Sequence, residues 1–233
     1  MHHRFPLIAS LFLAIPPGSP AKAEGPYKAE VLKEGPPAAL APAIKGELGP
    51  TGYRIADSSG KPYADLWLRK ATPATGRPNG PSGTIQFPVL AEGTLIGAIR
   101  YGSDGQDFRD QAIPPGVYTV RFGLQPQNGA HLGKSPFRDY FLLLPAAKDT
   151  SPELLAKKPL DERSAEAAGT THPACLELLA ATEPAKADDP KMINDQEKNT
   201  WALAVPIPLA VKGDAVPASL DVQVIVSGAS AEP

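Results

Sequence analysis

The sequence predicts a mainly β chain, a single β-sandwich of immunoglobulin-like or jelly-roll type, and three observations predict it. Apolar and polar residues alternate in short runs, most clearly over residues 117–125 and 220–226, which is the period-2 signature of strands. Such runs recur at short intervals between turns rich in Gly and Pro. Proline supplies 28 of the 233 residues, and because it lacks an N–H and blocks helix interiors, the chain favours many short elements over long helices.

Taken in order, residues 1–23 read as a secretory signal. Arg4 precedes an apolar run over 5–15, Pro16 and Pro17 break it, and the small residues Ala21 and Ala23 place cleavage before Glu24. The apolar run is too short to span a bilayer. The expectation is a single domain over 24–233, periplasmic or secreted, with no membrane span. Removing the signal takes Arg4 and Lys22 and no acidic residue, which moves the formal net charge from −2 to −4. A mildly acidic chain has no electrostatic case for nucleic acid. The single cysteine, Cys175, excludes an intrachain disulfide. It also lies far from the cleavage position, which argues against a lipid anchor.

Residues 28–33 predict a first strand, followed by a loosely packed connection to Pro50. A hairpin follows: 53–56, a turn over 57–60 (Asp-Ser-Ser-Gly), then 61–70. In its second arm Leu66 and Leu68 point one way while Asp65, Trp67 and Arg69 point the other. Residues 71–83, with three prolines and three glycines, predict a loop. Strands are expected over 84–90 and 94–101, then a polar loop through Asp104, Asp107 and Asp110. Over 117–125, Tyr118, Val120, Phe122 and Leu124 share the buried face. Residues 137–144 become apolar on both faces, as in a central strand.

Ser151, Pro152 and Glu153 predict a short helix to about Lys157, through a capping serine and a proline at the first helical position. A second short helix is expected over 161–168, closed by Gly169. Residues 175–179 predict a strand and 180–199 a long polar loop. Residues 201–209 alternate, but Pro206 and Pro208 place that strand on an edge or end it early.

Several residues carry chemical possibilities. His131 sits in a glycine-flanked loop before Arg138 and Asp139. It can ligate a metal or shuttle a proton with Asp139 orienting it; alternatively Arg138 and Asp139 tie the loop to a neighbouring strand. A lone histidine with no partner at ligand spacing is a weak metal signal, so no metal or cofactor is expected. His172 and Cys175 face opposite sides if local structure is extended, which favours a buried structural cysteine over a nucleophile–base pair. Asp104, Asp107 and Asp110 miss the EF-hand pattern. Trp67, between Asp65 and Arg69, is a stacking platform for a sugar or a partner side chain if it lies on an outer face, and a core residue if a second layer covers it.

The text Ile113-Pro114-Pro115-Gly116-Val117-Tyr118-Thr119-Val120-Arg121 launches a strand from a turn in the manner of many small β-sandwich modules, transthyretin-like domains included. With Gly129-Ala130-His131-Leu132-Gly133 and the run from Ser135 to Pro145 it resembles a group of exported bacterial proteins. That resemblance also touches Trp67 to Lys70 and His172-Pro173. It implies a shared fold and carries no activity.

The sequence therefore points to a non-catalytic module that binds a glycan or a protein, through a sheet face or through His131, Arg138, Asp139, Trp67 and Arg69. The rival is a metal-assisted hydrolase using His131, His172 and one of Asp139, Asp107 or Asp110. A third class is a structural component of the cell envelope.

Overall fold

A computed structural model describes residues 27–127 and 135–228. The expected signal segment and His131 with its loop lie outside the described residues. In chain order the elements are β1 (Lys28–Leu32), α1 (Pro42–Glu47), β2 (Gly52–Ala56), β3 (Pro62–Leu68), β4 (Thr72–Ala74), β5 (Leu95–Tyr101), β6 (Gly105–Gln106) and β7 (Ala112–Ile113). They continue with β8 (Gly116–Leu124), β9 (Asp139–Pro145), α2 (Lys157–Ala168), β10 (Cys175–Ala180), β11 (Lys191–Asp195), β12 (Thr200–Val211) and β13 (Ala218–Ser227).

The protein is mainly β, as its residue pattern requires. The sandwich expectation, though, meets one continuous hydrogen-bonded path, β1-β2-β3-β5-β8-β9-β10-β13-β12-β11, with β4 added alongside β12 and β6-β7 forming a separate small ribbon. The path turns at β10. Its residues 175–177 pair with β9, whereas 178–180 pair with β13, so one short strand hands the ladder from the first half to the second. The sheet curls until its ends meet: β1 lies against β11, the Tyr27 and Trp201 rings are 5.8 Å apart, and Tyr63 Oη donates to the Val226 carbonyl at 3.1 Å.

Inside the curl, alternate residues of both halves share one core, among them Ile55, Ile99, Val120, Phe122, Phe141, Leu143, Leu178, Leu203, Val205, Val222 and Val224. The alternation of 117–125 and 220–226 is thereby realised. The outer face of the central strands is covered too. Residues 32–48 pack Leu32, Leu40, Ile44 and Leu48 over Trp67, Leu95 and Ala98. The connection before Pro50 is therefore not loosely packed, and its α1 starts at Pro42, where a missing N–H costs nothing. Burying one aliphatic side chain such as Ile44 is worth about 1.5–3 kcal/mol. On the other side Phe108 and Leu160 of α2 cover Tyr140, Leu142, Leu144 and Cys175. This second covering gives β9 two buried faces, and β8 has two rather than one because its outer Thr119 and Arg121 are buried under Asp149, Ser151 and Glu153. Gly97 fits the crowding, since a Cβ there would stand 2.1 Å from the Trp67 carbonyl.

Other expectations change for identifiable reasons. Residues 84–90 form no strand. Their backbone turns at Ser82–Ile85 and at Phe87–Leu90, and Phe87, Val89 and Leu90 plug the core from a loop. Residues 151–156 form no helix, because the carbonyls of Ser151 and Glu153 are taken by Arg121. Helix α2 begins only at Lys157, with Pro159 in its first turn, where no intrahelical donor is needed. It closes at Gly169 in the left-handed region, φ 64°. The loops expected over 71–83, 104–116 and 180–199 each contain short strands, β4, β6 with β7, and β11.

Strand β12 is not an edge. It pairs with β13 on one side, and on the other with β11 through residues 200–204 and with β4 through 209–211. Pro206 and Pro208 fall in the gap between those two partners. The positions that cannot donate thus lie where no flanking strand asks for a bond.

Candidate functional site

Arg121 is the most deeply buried basic side chain among the described residues. It lies on the outer face of β8 and is 1% exposed. A guanidinium cannot be neutralised by losing its proton, so burial demands that each of its five N–H groups find an acceptor. All five do. Nε and Nη2 form a fork on Asp149, at 2.7 and 2.9 Å. Nη1 donates to the Gly93 and Glu153 carbonyls at 2.6 and 2.8 Å, and Nη2 to the Ser151 carbonyl at 2.5 Å. Asp149, also 1% exposed, accepts in addition from Thr119 Oγ1 at 2.7 Å. Residues 149–155 are thereby bolted onto the outer face of the sheet.

Beside that segment lies an open cleft of about 350 Å³, walled by Pro73, Ala74 and Thr75 after β3, by Val89, Ala91, Thr94 and Leu95, and by Pro152, Glu153 and Leu154. Arg69 reaches its rim, where Glu47 compensates its charge through contacts of 2.8 and 3.1 Å. Leu154 stands 62% exposed at the edge. Leu154 is one of three large apolar side chains exposed among the described residues, with Ile193 and Val216, and of these it alone lines the cleft.

No family model, curated protein or solved structure matches the chain.

Of the described residues singled out in the sequence as candidate site residues, Arg69 reaches this cleft and the others fall elsewhere. Trp67 is fully buried under α1 and the segment before it. Its indole N–H donates to the Glu34 carbonyl at 2.8 Å, and the Arg100 guanidinium lies 5.2 Å from its ring centre. The covering layer is the alternative that holds, and the ring offers no platform for a ligand. Arg138 donates through Nε to the Gln125 carbonyl at 2.6 Å. Asp139, buried at the start of β9, accepts from the backbone N–H groups of Gln86 and Phe87 at 2.8 and 2.9 Å. Burial raises its pKa, and the two backbone donors and Arg138 offset only part of that. The pair ties loops to strands.

Asp107 behaves similarly. Its carboxylate accepts from the backbone of Arg109, Gln111 and Cys175 and from the Gln111 side chain, and burial raises its pKa. It serves as the hub of the β6–β7 turn rather than as a calcium ligand. Asp110 adopts a left-handed backbone, φ 65°, and bonds Gln106. Among the described residues no group of three His, Cys, Asp or Glu side chains is placed to hold a metal ion. Cys175 is buried beside Asp107, with its thiol pKa pushed up by burial and by that carboxylate. His172 is exposed. Glu177, next along the outer face of β10, accepts from Ser135 Oγ, and its pKa too is raised by burial.

The Arg121–Asp149 pair and the cleft were missed in the sequence. Arg121 carried the available signal: a charged residue at the centre of the most regular strand demands a buried partner.

Proposed function

We propose that the chain is an exported, non-catalytic β module that binds a protein ligand across the cleft and Leu154, its curled sheet acting as the two layers of a sandwich-like scaffold. The residue pattern of 1–23 supports export to the periplasm or beyond. The observation that carries the binding reading is the hollow of about 350 Å³ with its exposed Leu154. The mixed walls, Pro73, Ala74, Val89, Ala91 and Pro152 beside Arg69, Thr75 and Glu153, suit an apolar side chain of a partner flanked by polar groups, and the braced backing lowers the ordering cost of association. A glycan ligand is less suited, since the aromatic ring that would have stacked on it is covered.

Selection of displayed peptides against the protein tests this. Recovered peptides are expected to lose binding to Ala91→Trp, which fills the cleft, and to Leu154→Arg, which charges its edge. Recovery of no binder, or of binders indifferent to both substitutions, overturns the reading.

A further inference from the structure

The stretch 77–84, which follows β4, is exposed throughout and fastened near its two ends. Arg77 donates through Nε to Asp214 at 2.5 Å and through Nη2 to the Val216 carbonyl at 3.1 Å. Ser82 and Ile85 exchange backbone hydrogen bonds at 2.8 and 3.0 Å. Between these anchors Pro78, Asn79, Gly80 and Pro81 have neither helix nor strand. Among the described residues nothing accepts from the Gly80 N–H, and nothing hydrogen-bonds the Asn79 side chain. Gly80 takes φ 87°, which suits glycine, and a Cβ there would meet no atom within 4 Å.

A backbone nitrogen one residue after an asparagine can close a five-membered ring on that asparagine's side-chain carbonyl carbon. Regular structure prevents this by holding the nitrogen in a hydrogen bond and fixing the chain around it, and a side chain on the following residue hinders the approach. At Asn79–Gly80 none of these obstacles is present, and water reaches both residues. The other described asparagines differ. Asn194 lies within β11, is followed by Asp195, and donates through Nδ2 to the Thr200 carbonyl at 3.2 Å. Asn199 is followed by the β-branched Thr200, at the start of β12.

We propose that Asn79–Gly80 is a self-modification site, at which the folded protein converts Asn79 to aspartate and isoaspartate with water as the only co-reactant. The Gly80 nitrogen gives its proton to hydroxide and bonds to Asn79 Cγ. The Cγ–Nδ2 bond then breaks, and Nδ2 leaves as ammonia with a proton taken from water. Water next opens the cyclic imide at one of its two carbonyls. Opening at Cγ leaves an ordinary aspartate at position 79; opening at the main-chain carbonyl leaves isoaspartate, with the chain routed through the side chain. Either product moves the formal net charge of the whole chain from −2 to −3. Isoaspartate also lengthens the backbone by one carbon, and that slack falls between the Arg77 and Ser82 anchors, so the pairing of β4 with β12 is kept.

The test incubates the folded protein in heavy-oxygen water at neutral and mildly alkaline pH, followed by tryptic digestion in ordinary water and mass analysis. Trypsin does not cut between Arg77 and Pro78, so Asn79 is the sole asparagine of peptide 71–100, while Asn128 falls in peptide 122–134. Peptide 71–100 is expected to exchange its amide nitrogen for one heavy oxygen, faster as hydroxide rises, while Asn194 and Asn199 stay unchanged. The product should separate into two forms, only one of them cut by a protease specific for aspartate, a residue this peptide otherwise lacks. Near-ultraviolet circular dichroism should be the same before and after, and Asn79→Gln, an exposed change that keeps the fold, should abolish the labelling. The rate in the folded protein should match that of the free peptide 71–100. A folded rate slower by about tenfold or more, a barrier raised by about 1.4 kcal/mol, would show that the fold holds this stretch and overturns the inference. So does the absence of labelling, or labelling of the peptide that persists in Asn79→Gln.

Discussion

Arg121→Met is the perturbation that bears most on how the outer face is held. The methionine approximates the arginine stem and fits the apolar part of its path. It leaves Asp149 buried with only Thr119 Oγ1 as a close donor, Arg163 being 4.0 Å away. Removing one partner of a buried ion pair costs about 3–5 kcal/mol, mostly the penalty of the stranded charge. The carbonyls of Ser151 and Glu153 add little, because their segment is exposed and water can replace the lost donors. About 4 kcal/mol is therefore expected. In a chain of this size each kcal/mol moves Tm by about 2–4 °C, so the variant should melt about 8–16 °C lower. The assay is urea unfolding of Arg121→Met, Asp149→Leu and the double variant. The double variant should cost less than the sum of the singles by at least about 2 kcal/mol, since neither charge is then left alone. A cost below about 1 kcal/mol for Arg121→Met, or additive singles, would refute the argument that this pair fastens residues 149–155.

Two further outcomes follow from the outer face of β10. The Cys175 thiol, buried and pushed up in pKa beside Asp107, should resist a disulfide reagent in the native protein and react at once in urea; fast labelling without denaturant would show the covering layer to be open. Glu177 has a raised pKa through burial, so between the ordinary carboxylate value and its raised value the native state holds a proton that the unfolded chain has lost. Its contribution to stability therefore grows as pH falls through that window and is lost as pH rises, the same direction as Asp107 and Asp139 and opposite to Glu34, Asp57 and Asp214, whose pKa values are lowered. Glu177→Gln should accordingly stabilise the protein at pH 7 relative to its effect at pH 4, measured as the difference in urea midpoints. An equal effect at both pH values would contradict the assigned burial penalty.

What could be read from the chain follows from which forces are local. The strands β2, β3, β5, β8, β9, β10 and β13 were legible because alternation records which side faces the core, and the left-handed Gly169 marked the end of α2 through its backbone alone. The second covering layer was not legible. Ile44 and Leu48 look like scattered apolar residues in a proline-rich connection until β3 and β5 offer Trp67 and Leu95 to cover. The same reason misplaced Trp67: its neighbours Asp65 and Arg69 are charged, which suggests an outer surface, yet Asp65 is buried between Arg54 and Arg100. A charged neighbour marks exposure only where its partner is also local.

That principle accounts for the candidate site as well. Ser151-Pro152-Glu153 has every local mark of a helix start, and no information within those residues says otherwise. The decision is made by Arg121, which needs acceptors for three N–H groups beyond the two that Asp149 takes. Gly93 and the two carbonyls of the helix start satisfy them. Leaving those donors buried without partners costs about 1–3 kcal/mol each, and more for a charged group, whereas a single marginal turn of helix is worth far less. The buried cation therefore wins, the helix start is pulled straight, and Leu154 is left facing water beside the cleft. Residues 151–155 owe their shape to a demand made elsewhere in the fold, which is why local sequence describes them poorly.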